Sequence, residues 1–386
     1  SEKHPGLAPP RVMLANLYIS NRQKTSGLQQ LELAVVESPA DPEAHLIFGD
    51  IAIFEGRPSD AEAQYKTGAA LLTNYNADAQ RKEKLTSQCE LGLANVEKLR
   101  GRWDAVQKQL NHLIAAQPQN ATAHQRMAEA FIAIDKPDEA LKQFQAAVKA
   151  DPKLRPAPLL MAEVYRQIGK SSEVLKWLLR ASQDAPGDVR TRLAMGDWWL
   201  GAGDYQKAAT EFAAAEKIAP NSLDVRISLG MAARYQRDFT KARRYLDAAL
   251  EQSPGNFAAS NQLALVIADQ ADKPDPSKLL PALEIAQSNL KSAPNSAEAE
   301  STLGWVLYRM GNLDEAERHL RAVMSSGSVS RDTAFYIAKL KSDRGQRSEA
   351  LTLLRRAIES KGPFAHADEA ARWLAQQDRS SEAPKK

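Results

Sequence analysis

Five prolines recur every 34 residues through the middle of the chain, and this period constrains the fold more than any other feature of the sequence. They are Pro118, Pro152, Pro186, Pro220 and Pro254. A small, large, small register precedes them, as in Ala208, Phe212 and Ala215 ahead of Pro220. Alanine lets two helix backbones approach, the larger residue fills the groove between helix pairs, and proline ends the second helix. The period therefore predicts a repeated helical hairpin.

Residues 189–220 contain one such hairpin in full. Gly196 lies in the first helix, Gly203 and Asp204 mark the turn, and Tyr205 begins the second helix. A single pair of helices is too thin to bury its apolar face, so it needs copies of itself on both sides. We therefore predict an array in which each hairpin is covered by its neighbours.

This 34-residue pattern of small, aromatic and proline positions resembles the tetratricopeptide repeat. The resemblance covers nearly the whole chain and implies an all-α fold, a right-handed α-solenoid or superhelix of antiparallel helix pairs with a C-terminal capping helix. About ten repeats are expected, starting near residues 8, 42, 87, 121, 155, 189, 223, 257, 297 and 331.

Two insertions break the register of the array. Polar residues at 76–86 either lengthen a helix or form a loop, whereas three prolines within 271–281 predict a surface loop. The domain organisation that follows is a flexible N-terminal arm at 1–7, the repeat array at 8–363, a capping helix at 364–377 and a disordered tail at 378–386.

Charge and composition exclude several functions. The 51 basic and 48 acidic residues give a net charge of only +3, so we expect no nucleic-acid partner. No apolar run approaches the roughly 20 residues that cross a bilayer, so we expect no direct membrane insertion. Cys89 is the single cysteine, which excludes an internal disulfide and favours a buried thiol.

The compartment stays open between cytoplasm and periplasm, since a chain without disulfides suits either. The start at Ser1 without methionine favours an exported protein or a domain excised from a larger one. The alanine-rich composition resembles that of bacterial repeat proteins.

Residues that would carry catalysis or metal binding do not occur in a suitable pattern. No two of the six histidines have the three- or four-residue spacing that places a pair of metal ligands on one helix face. We find no phosphate-binding glycine loop, nucleophile elbow or paired carboxylates in an apolar setting. Gly196, Gly230 and Gly304 share one repeat position and are explained by close helix packing. We therefore predict a protein that is not an enzyme and needs no cofactor.

The resemblance also implies that positions 2, 5, 9, 12 and 13 of each repeat line a concave groove. Position 9 is mostly acidic in repeats two to six, at Asp50, Asn95, Glu129, Glu163 and Asp197. Towards the C-terminus the groove residues become apolar, at Met231, Tyr235, Leu265, Trp305, Tyr308 and Phe335. Such a groove suits a peptide that carries basic residues followed by hydrophobic anchors. Arg166, Arg190 and Arg234 interrupt the acidic part and could pair with it, so a purely structural role of these charges stays open.

Two functions remain. The first is a non-catalytic scaffold that binds a protein or peptide partner in the groove. The second is a structural, self-associating component of a bacterial envelope, secretion or polysaccharide-export assembly. The resemblance implies that a receptor for chaperone tails binds the C-terminal carboxylate through a lysine at position 5 and an asparagine at position 9. Val12 and Leu91 replace that lysine in the two repeats that carry asparagine at position 9, so a chaperone-tail receptor is not expected.

Overall fold

The computed structural model describes residues 6–76, 78–270, 276–327 and 329–382. These residues form 21 α-helices and contain no β-strand, which confirms the predicted all-α solenoid class. None of the described helices has the length and apolar character required to cross a membrane. The chain divides into two compact units, residues 1–177 and 178–386, and each is a stack of helical hairpins.

In unit 1 consecutive helices pair as hairpins, and the first helices are α1, α3, α5, α7 and α9. The bounds are α1 Pro10–Ser20, α2 Lys24–Glu37, α3 Glu43–Phe54, α4 Pro58–Thr73, α5 Ala79–Leu99, α6 Trp103–Ala116, α7 Ala121–Ala133, α8 Pro137–Ala150 and α9 Ala157–Gln167. The boundary between the units falls inside α10, Ser171–Asp184.

Unit 2 continues the same alternation, and its first helices are α11, α13, α15, α17 and α19. The bounds are α11 Val189–Ala202, α12 Tyr205–Ile218, α13 Leu223–Tyr235, α14 Phe239–Gln252, α15 Phe257–Gln270, α16 Pro276–Ser292, α17 Ala297–Arg309, α18 Leu313–Ser326, α19 Arg331–Asp343, α20 Arg347–Glu359 and α21 Ala367–Glu382.

Local chemistry sets the hairpin turn between α11 and α12. Gly203 ends α11 in the left-handed region at φ 82°, which glycine adopts without the penalty that a Cβ imposes. Asp204 then accepts a hydrogen bond from the backbone N–H of Lys207 and so caps α12. The turn therefore reverses the chain within two residues.

Packing in several hairpins depends on a small residue that faces a large one. Phe212 is fully buried, and a Cβ built on Gly196 would lie only 2.1 Å from its ring. In unit 1, Tyr65 lies similarly close to Gly49 and Gly92. These glycines are present because the facing aromatic ring occupies the space that a side chain would need.

The insertion at 76–86 lengthens a helix. Helix α5 starts at Ala79 and has 21 residues, and residue 77 lies outside the described part. The buried guanidinium of Arg81 donates to both carboxylate oxygens of Asp41, at 2.6 and 2.9 Å, and to Glu43 at 2.7 Å. These charge-assisted hydrogen bonds fix the added turns of α5 against the start of α3.

The loop predicted at 271–281 is wrong for residues 276–281, which are helical, while residues 271–275 lie outside the described part. Pro276 is the first residue of α16, where a missing N–H costs nothing, and Pro281 lies inside the helix. Leu279, two residues before Pro281, and Ala282, directly after it, are fully buried. Their burial outweighs the backbone hydrogen bond that Pro281 cannot make.

The predicted ends of the chain differ from the observed ones by a few residues. Helix α21 begins at Ala367, three residues after the predicted start of the cap. It continues to Glu382, past the predicted start of the disordered tail at 378, because no glycine or proline interrupts the sequence before Pro384. Residues 1–5 of the predicted arm and 383–386 of the tail lie outside the described part.

Candidate functional site

The first helices of unit 1 carry polar side chains at the positions that the repeat pattern singled out. Asp50 on α3 is exposed, and Asn95 on α5, Glu129 on α7 and Glu163 on α9 are half-buried. We call these four side chains the unit 1 row. Arg166 is exposed at the end of α9.

Asp50 is held by neutral donors. The Tyr65 hydroxyl donates to Asp50 Oδ1 at 2.6 Å, and the side-chain amide of Gln88 on α5 donates to Oδ2 at 2.7 Å. Burial of the phenol, together with this carboxylate, raises the pKa of Tyr65. Among the residues that the structure describes, no cation pairs with Asp50, so its charge stays available at the surface.

The two glutamates of the row form ion pairs with neighbouring basic residues. Glu129 accepts from Lys98 Nζ at 2.8 Å and from Arg126 Nη1 at 3.1 Å, and Glu163 pairs with Arg155. The predicted row of mostly acidic residues is thus a surface of mixed charge in unit 1. The geometry of these two residues agrees with the structural interpretation, in which charges along the groove pair with each other.

In unit 2 the remaining polar positions lie near the start of the unit. Arg190 Nε is 3.0 Å from Asp188 Oδ1, so Arg190 pairs with the residue that caps its own helix. Asp197 lies exposed on the same helix, α11.

The apolar positions of unit 2 do not form an open surface. Phe335, Trp305 and Leu265 are 0%, 2% and 7% exposed, and they belong to one core cluster. Met231, Tyr235 and Tyr308 are partly buried and pack against the cores of the same unit. The prediction that hydrophobic residues line an open groove is therefore wrong for Phe335, Trp305 and Leu265, because other residues of unit 2 cover them.

A buried carboxylate, that of Asp269 on α15, lies among the residues that cover Trp305. It accepts from Arg234 Nε on α13 at 3.0 Å and from Trp305 Nε1 on α17 at 2.8 Å. His366 Nε2 approaches the carboxylate to 3.3 Å. We call Arg234, Asp269 and His366 the buried charge cluster, and three helices and the segment before α21 converge on it.

Two helices that are three hairpins apart meet at this cluster. The Arg234 guanidinium donates to the Tyr336 hydroxyl on α19 at 3.2 Å and lies 3.6 Å from Asp332. The Tyr336 ring stacks on Trp305 with centroids 4.2 Å apart. The inner face of unit 2 is therefore filled by side chains of unit 2 itself.

Residues 363–366 complete the filling. The His366 ring stacks on Phe335 at 4.7 Å, and the backbone of Phe364 is hydrogen bonded to Tyr205 at the start of α12. Burial alone would lower the pKa of His366, but the carboxylates of Asp269 and Glu369 raise it to about 9. The imidazolium is therefore the form that suits this site at neutral pH.

The opposite charges also hold Asp269 ionised. Burial would raise the pKa of Asp269, but Arg234 and His366 together bring it well below its ordinary value. Removing one member of such a buried pair leaves an uncompensated charge, which costs about 3–5 kcal/mol. The buried charge cluster therefore stabilises the contacts among α13, α15, α17 and the segment before α21.

Asp269, Tyr336 and His366 are not among the site residues that the sequence predicts. Asp269 is the thirteenth residue of the repeat that starts at 257, a position already assigned to the groove, so its placement could have been found. Nothing in the local pattern indicates that Tyr336 and His366 reach the same place.

The part of the chain that the structure describes contains neither a metal-binding site nor a reactive thiol. No group of three or more histidine, cysteine, aspartate or glutamate side chains is placed to hold a metal ion there. Cys89 is buried, as predicted, with its sulfur 3.4 Å from the carbonyl oxygen of Tyr65. Burial raises the pKa of this thiol to about 12, which makes it unreactive near neutral pH.

Stacked helical hairpins with a small residue facing a large one define a class, the helical-repeat proteins. Residues 91–154 and 227–275 match one model of the tetratricopeptide repeat, and residues 298–326 match a second. These three segments of the chain are tetratricopeptide repeats.

Solved structures with similar architecture are distant in sequence. A thermophilic tetratricopeptide repeat protein of Thermus thermophilus is 19% identical over 49% of this chain and 98% of its own, with a TM-score of 0.41. The human IFIT1 dimer with m7Gppp-AAAA is 15% identical over 92% of this chain and 87% of its own, with a TM-score of 0.48. Yeast Tom70 is 14% identical over 97% of this chain and 90% of its own, with a TM-score of 0.40. Likeness at this level supports no statement about function.

No curated protein matches this chain in sequence.

Proposed function

We propose that this protein is a non-catalytic scaffold for protein interaction and that a peptide segment of its partner binds to the unit 1 row. The observation that carries the proposal is the difference between the two units. The first helices of unit 1 present polar side chains that are exposed or half-buried, whereas the inner face of unit 2 is filled.

The ion pairs of the unit 1 row are weak enough for basic side chains of a partner to replace them. Lys98 and Arg126, which pair with Glu129, are themselves 41% and 42% exposed. Pairs of this kind contribute about 0–1 kcal/mol, so basic side chains of a peptide can replace them at little cost. Asp50, which accepts from the neutral donors Tyr65 and Gln88, supplies a further carboxylate.

These features support a partner peptide that carries basic residues. Two of the apolar residues that were expected to contact hydrophobic side chains of that peptide, Trp305 and Phe335, are buried in the core of unit 2.

Selection of random peptides of about 12 residues on the purified chain, followed by fluorescence polarisation with the selected peptides, tests the proposal. Basic peptides are expected, and Glu129→Gln with Glu163→Gln should weaken their binding about tenfold, the effect of about 1.4 kcal/mol. Glu139→Gln is the matched control, since Glu139 is exposed on the second helix of the repeat that contains Glu129. Equal binding by the double variant and the unaltered chain would remove the unit 1 row from consideration.

The structural, self-associating role makes a different prediction for the same sample. Light scattering over a concentration series should give a constant mass if the protein is a scaffold that does not bind copies of itself. A mass that rises with concentration, together with no selected peptide, would favour self-association.

A further inference from the structure

A groove that the unit 1 row does not involve runs between α18 and α20, with α19 as its floor. It contains two cavities of about 310 and 370 Å³, both lined by Met324 and Ile337. Each volume lies at the lower end of the roughly 300–1,000 Å³ that is usual for ligand sites. The cavities therefore suit side chains of a partner better than a large cofactor.

The connection between α18 and α19 lacks the proline that follows most second helices. Pro220, Pro254 and Pro294 follow α12, α14 and α16, whereas α18, like α4, is not followed by proline, and the residue after α18 is Gly327 in the left-handed region at φ 74°. Val329 and Ser330 then lead into α19. Gly327 and Val329 both line the second cavity, so these two residues form part of its wall.

Apolar side chains remain exposed along the groove. Met324 and Val329 are 43% and 42% exposed, beside the buried floor residues Ile337 and Ala334. Exposed methionine next to a concave apolar floor is a frequent feature of surfaces that bind protein segments, because its flexible side chain adapts to the bound group. The groove therefore has an apolar base into which another side chain can fit.

The rim of the groove is basic. Six basic residues line the two cavities against a single acidic one, Glu317; the six are Arg321, Arg331, Lys341, Arg344, Arg356 and Lys361. Arg331 is engaged in the fold, since it donates to the backbone oxygens of Ala357 and Gly362 at 2.6 and 2.7 Å. Three others form ion pairs with acidic residues: Arg321 with Glu317, Lys341 with Glu349 and Arg344 with Asp314.

Two of these cations have no acidic partner among the residues that the structure describes. The guanidinium of Arg356 and the ammonium of Lys361 make no hydrogen bond or ion pair with any residue that the structure describes. Both lie beside the second cavity, so their charge faces whatever enters it.

We propose that this groove is a second docking site, and that its occupant is a partner segment that carries two apolar side chains flanked by aspartate or glutamate. The apolar side chains fill the two cavities, and the carboxylates pair with Arg356 and Lys361. The charge of the rim selects an acidic segment over a basic one, and the two concave cavities select a peptide over a flat membrane surface.

The test uses the full chain and a pool of fluorescein-labelled peptides of about 12 residues. Each peptide carries leucine and phenylalanine at a spacing of three, four or seven residues, with glutamate elsewhere. Two matched pools replace the glutamates by lysine or the apolar pair by serine. Only the acidic pool with the apolar pair should bind, with a Kd in the micromolar range.

Groove variants locate the binding. Met324→Gln, and Arg356→Glu with Lys361→Glu, should each raise the Kd at least about tenfold. The controls are Leu280→Gln, a residue 49% exposed on α16, and Lys291→Glu, which lies in the last turn of α16 as Arg356 does in α20. Both controls should leave the Kd unchanged, and circular dichroism should show the same helix content in all variants.

Three results would overturn the proposal. They are no binding from the acidic apolar pool, equal binding from the pool that lacks the apolar pair, and equal binding by the groove variants. Sedimentation with phosphatidylglycerol vesicles adds a fourth, since vesicle binding that depends on Arg356 and Lys361 without peptide binding would assign the site to a membrane surface. None of these results depends on the unit 1 row, so each of the two proposals can be refuted without affecting the other.

Discussion

The hydroxyl group of Tyr205 satisfies both backbone polar groups of Phe364. It accepts a hydrogen bond from the Phe364 N–H at 2.9 Å and donates one to the Phe364 carbonyl oxygen at 3.2 Å. Tyr205 begins α12 and Phe364 precedes α21, so one side chain joins an early hairpin of unit 2 to the segment that precedes its last helix.

The variant Tyr205→Phe removes that hydroxyl and leaves the N–H and C=O of buried Phe364 without these partners. We expect a loss of about 1–3 kcal/mol in the free energy of unfolding. Hydrogen–deuterium exchange should show faster exchange in the peptide that covers 360–366. Tyr18→Phe, in unit 1, should leave that peptide unaffected; slow exchange in both variants would contradict the role of Tyr205.

The variant Asp269→Asn keeps the shape of the side chain but removes the negative charge between Arg234 and His366. Both cations then lie buried without their shared partner, and we expect a loss of about 3–5 kcal/mol in the free energy of unfolding. Urea denaturation followed by circular dichroism measures the loss. Asp50→Asn serves as the control, because Asp50 is exposed and should cost far less. A loss below about 1 kcal/mol for Asp269→Asn would show that the cluster is not a stabilising contact.

The raised pKa of His366 predicts that stability falls as pH rises. Its ordinary pKa is about 6.5 and its pKa in the fold is about 9, so its contribution is complete below pH 6.5 and is lost as pH rises through 9. The difference corresponds to about 3 kcal/mol. The charged and titratable groups that face it are Arg234, Asp269, Asp332, Tyr336 and Glu369.

Urea denaturation at steps from pH 6 to 9.5 checks this prediction. The variant His366→Gln should lose most of the pH dependence, whereas His112→Gln, which removes an exposed imidazole of unit 1, should behave like the unaltered chain. The pKa values of Asp269 and Glu369 are lowered, that of Glu369 to about 2. Any stability lost through protonation of these carboxylates is therefore lost below pH 4.5. Stability that rises between pH 7 and 9 would contradict the assignment.

Two glycines of α11 should respond in opposite ways to alanine. A Cβ on Gly196 would lie 2.1 Å from the Phe212 ring, so Gly196→Ala should destabilise by about 1–3 kcal/mol. A Cβ on Gly201 would meet no described atom within 4 Å, so Gly201→Ala should stabilise by about 0.5–1 kcal/mol through helix propensity. Thermal unfolding of the two variants measures the difference. Similar midpoints would mean that close packing is not the reason for Gly196.

The all-α fold could be predicted from the sequence because its determinants are local. Pro220 and the residues Ala208, Phe212 and Ala215 specify one hairpin without reference to distant parts of the chain. The helical state of Pro281 could not be predicted in this way, since it depends on the burial of Leu279 and Ala282 against neighbouring helices.

The candidate site was predicted less well, because repeat position specifies which face a side chain lies on but not whether that face stays open. Glu129 and Trp305 occupy the same position of their repeats, yet Glu129 is half-buried at a polar surface and Trp305 is enclosed. What encloses Trp305 is Asp269, Tyr336 and His366, and their meeting depends on contacts between residues far apart in sequence.

The distance along the chain between Tyr205 and Phe364 also affects synthesis. The residues that separate them number 158, and at a translation rate of roughly 5–20 residues per second the ribosome needs about 8–32 s to make them. For that time the Tyr205 hydroxyl has no Phe364 backbone to bind, although the hairpins from α11 onward already exist as nascent chain. Unit 2 therefore reaches its final hydrogen bonding only after its last hairpins have emerged from the exit tunnel, unlike a linear array that could complete each repeat in turn.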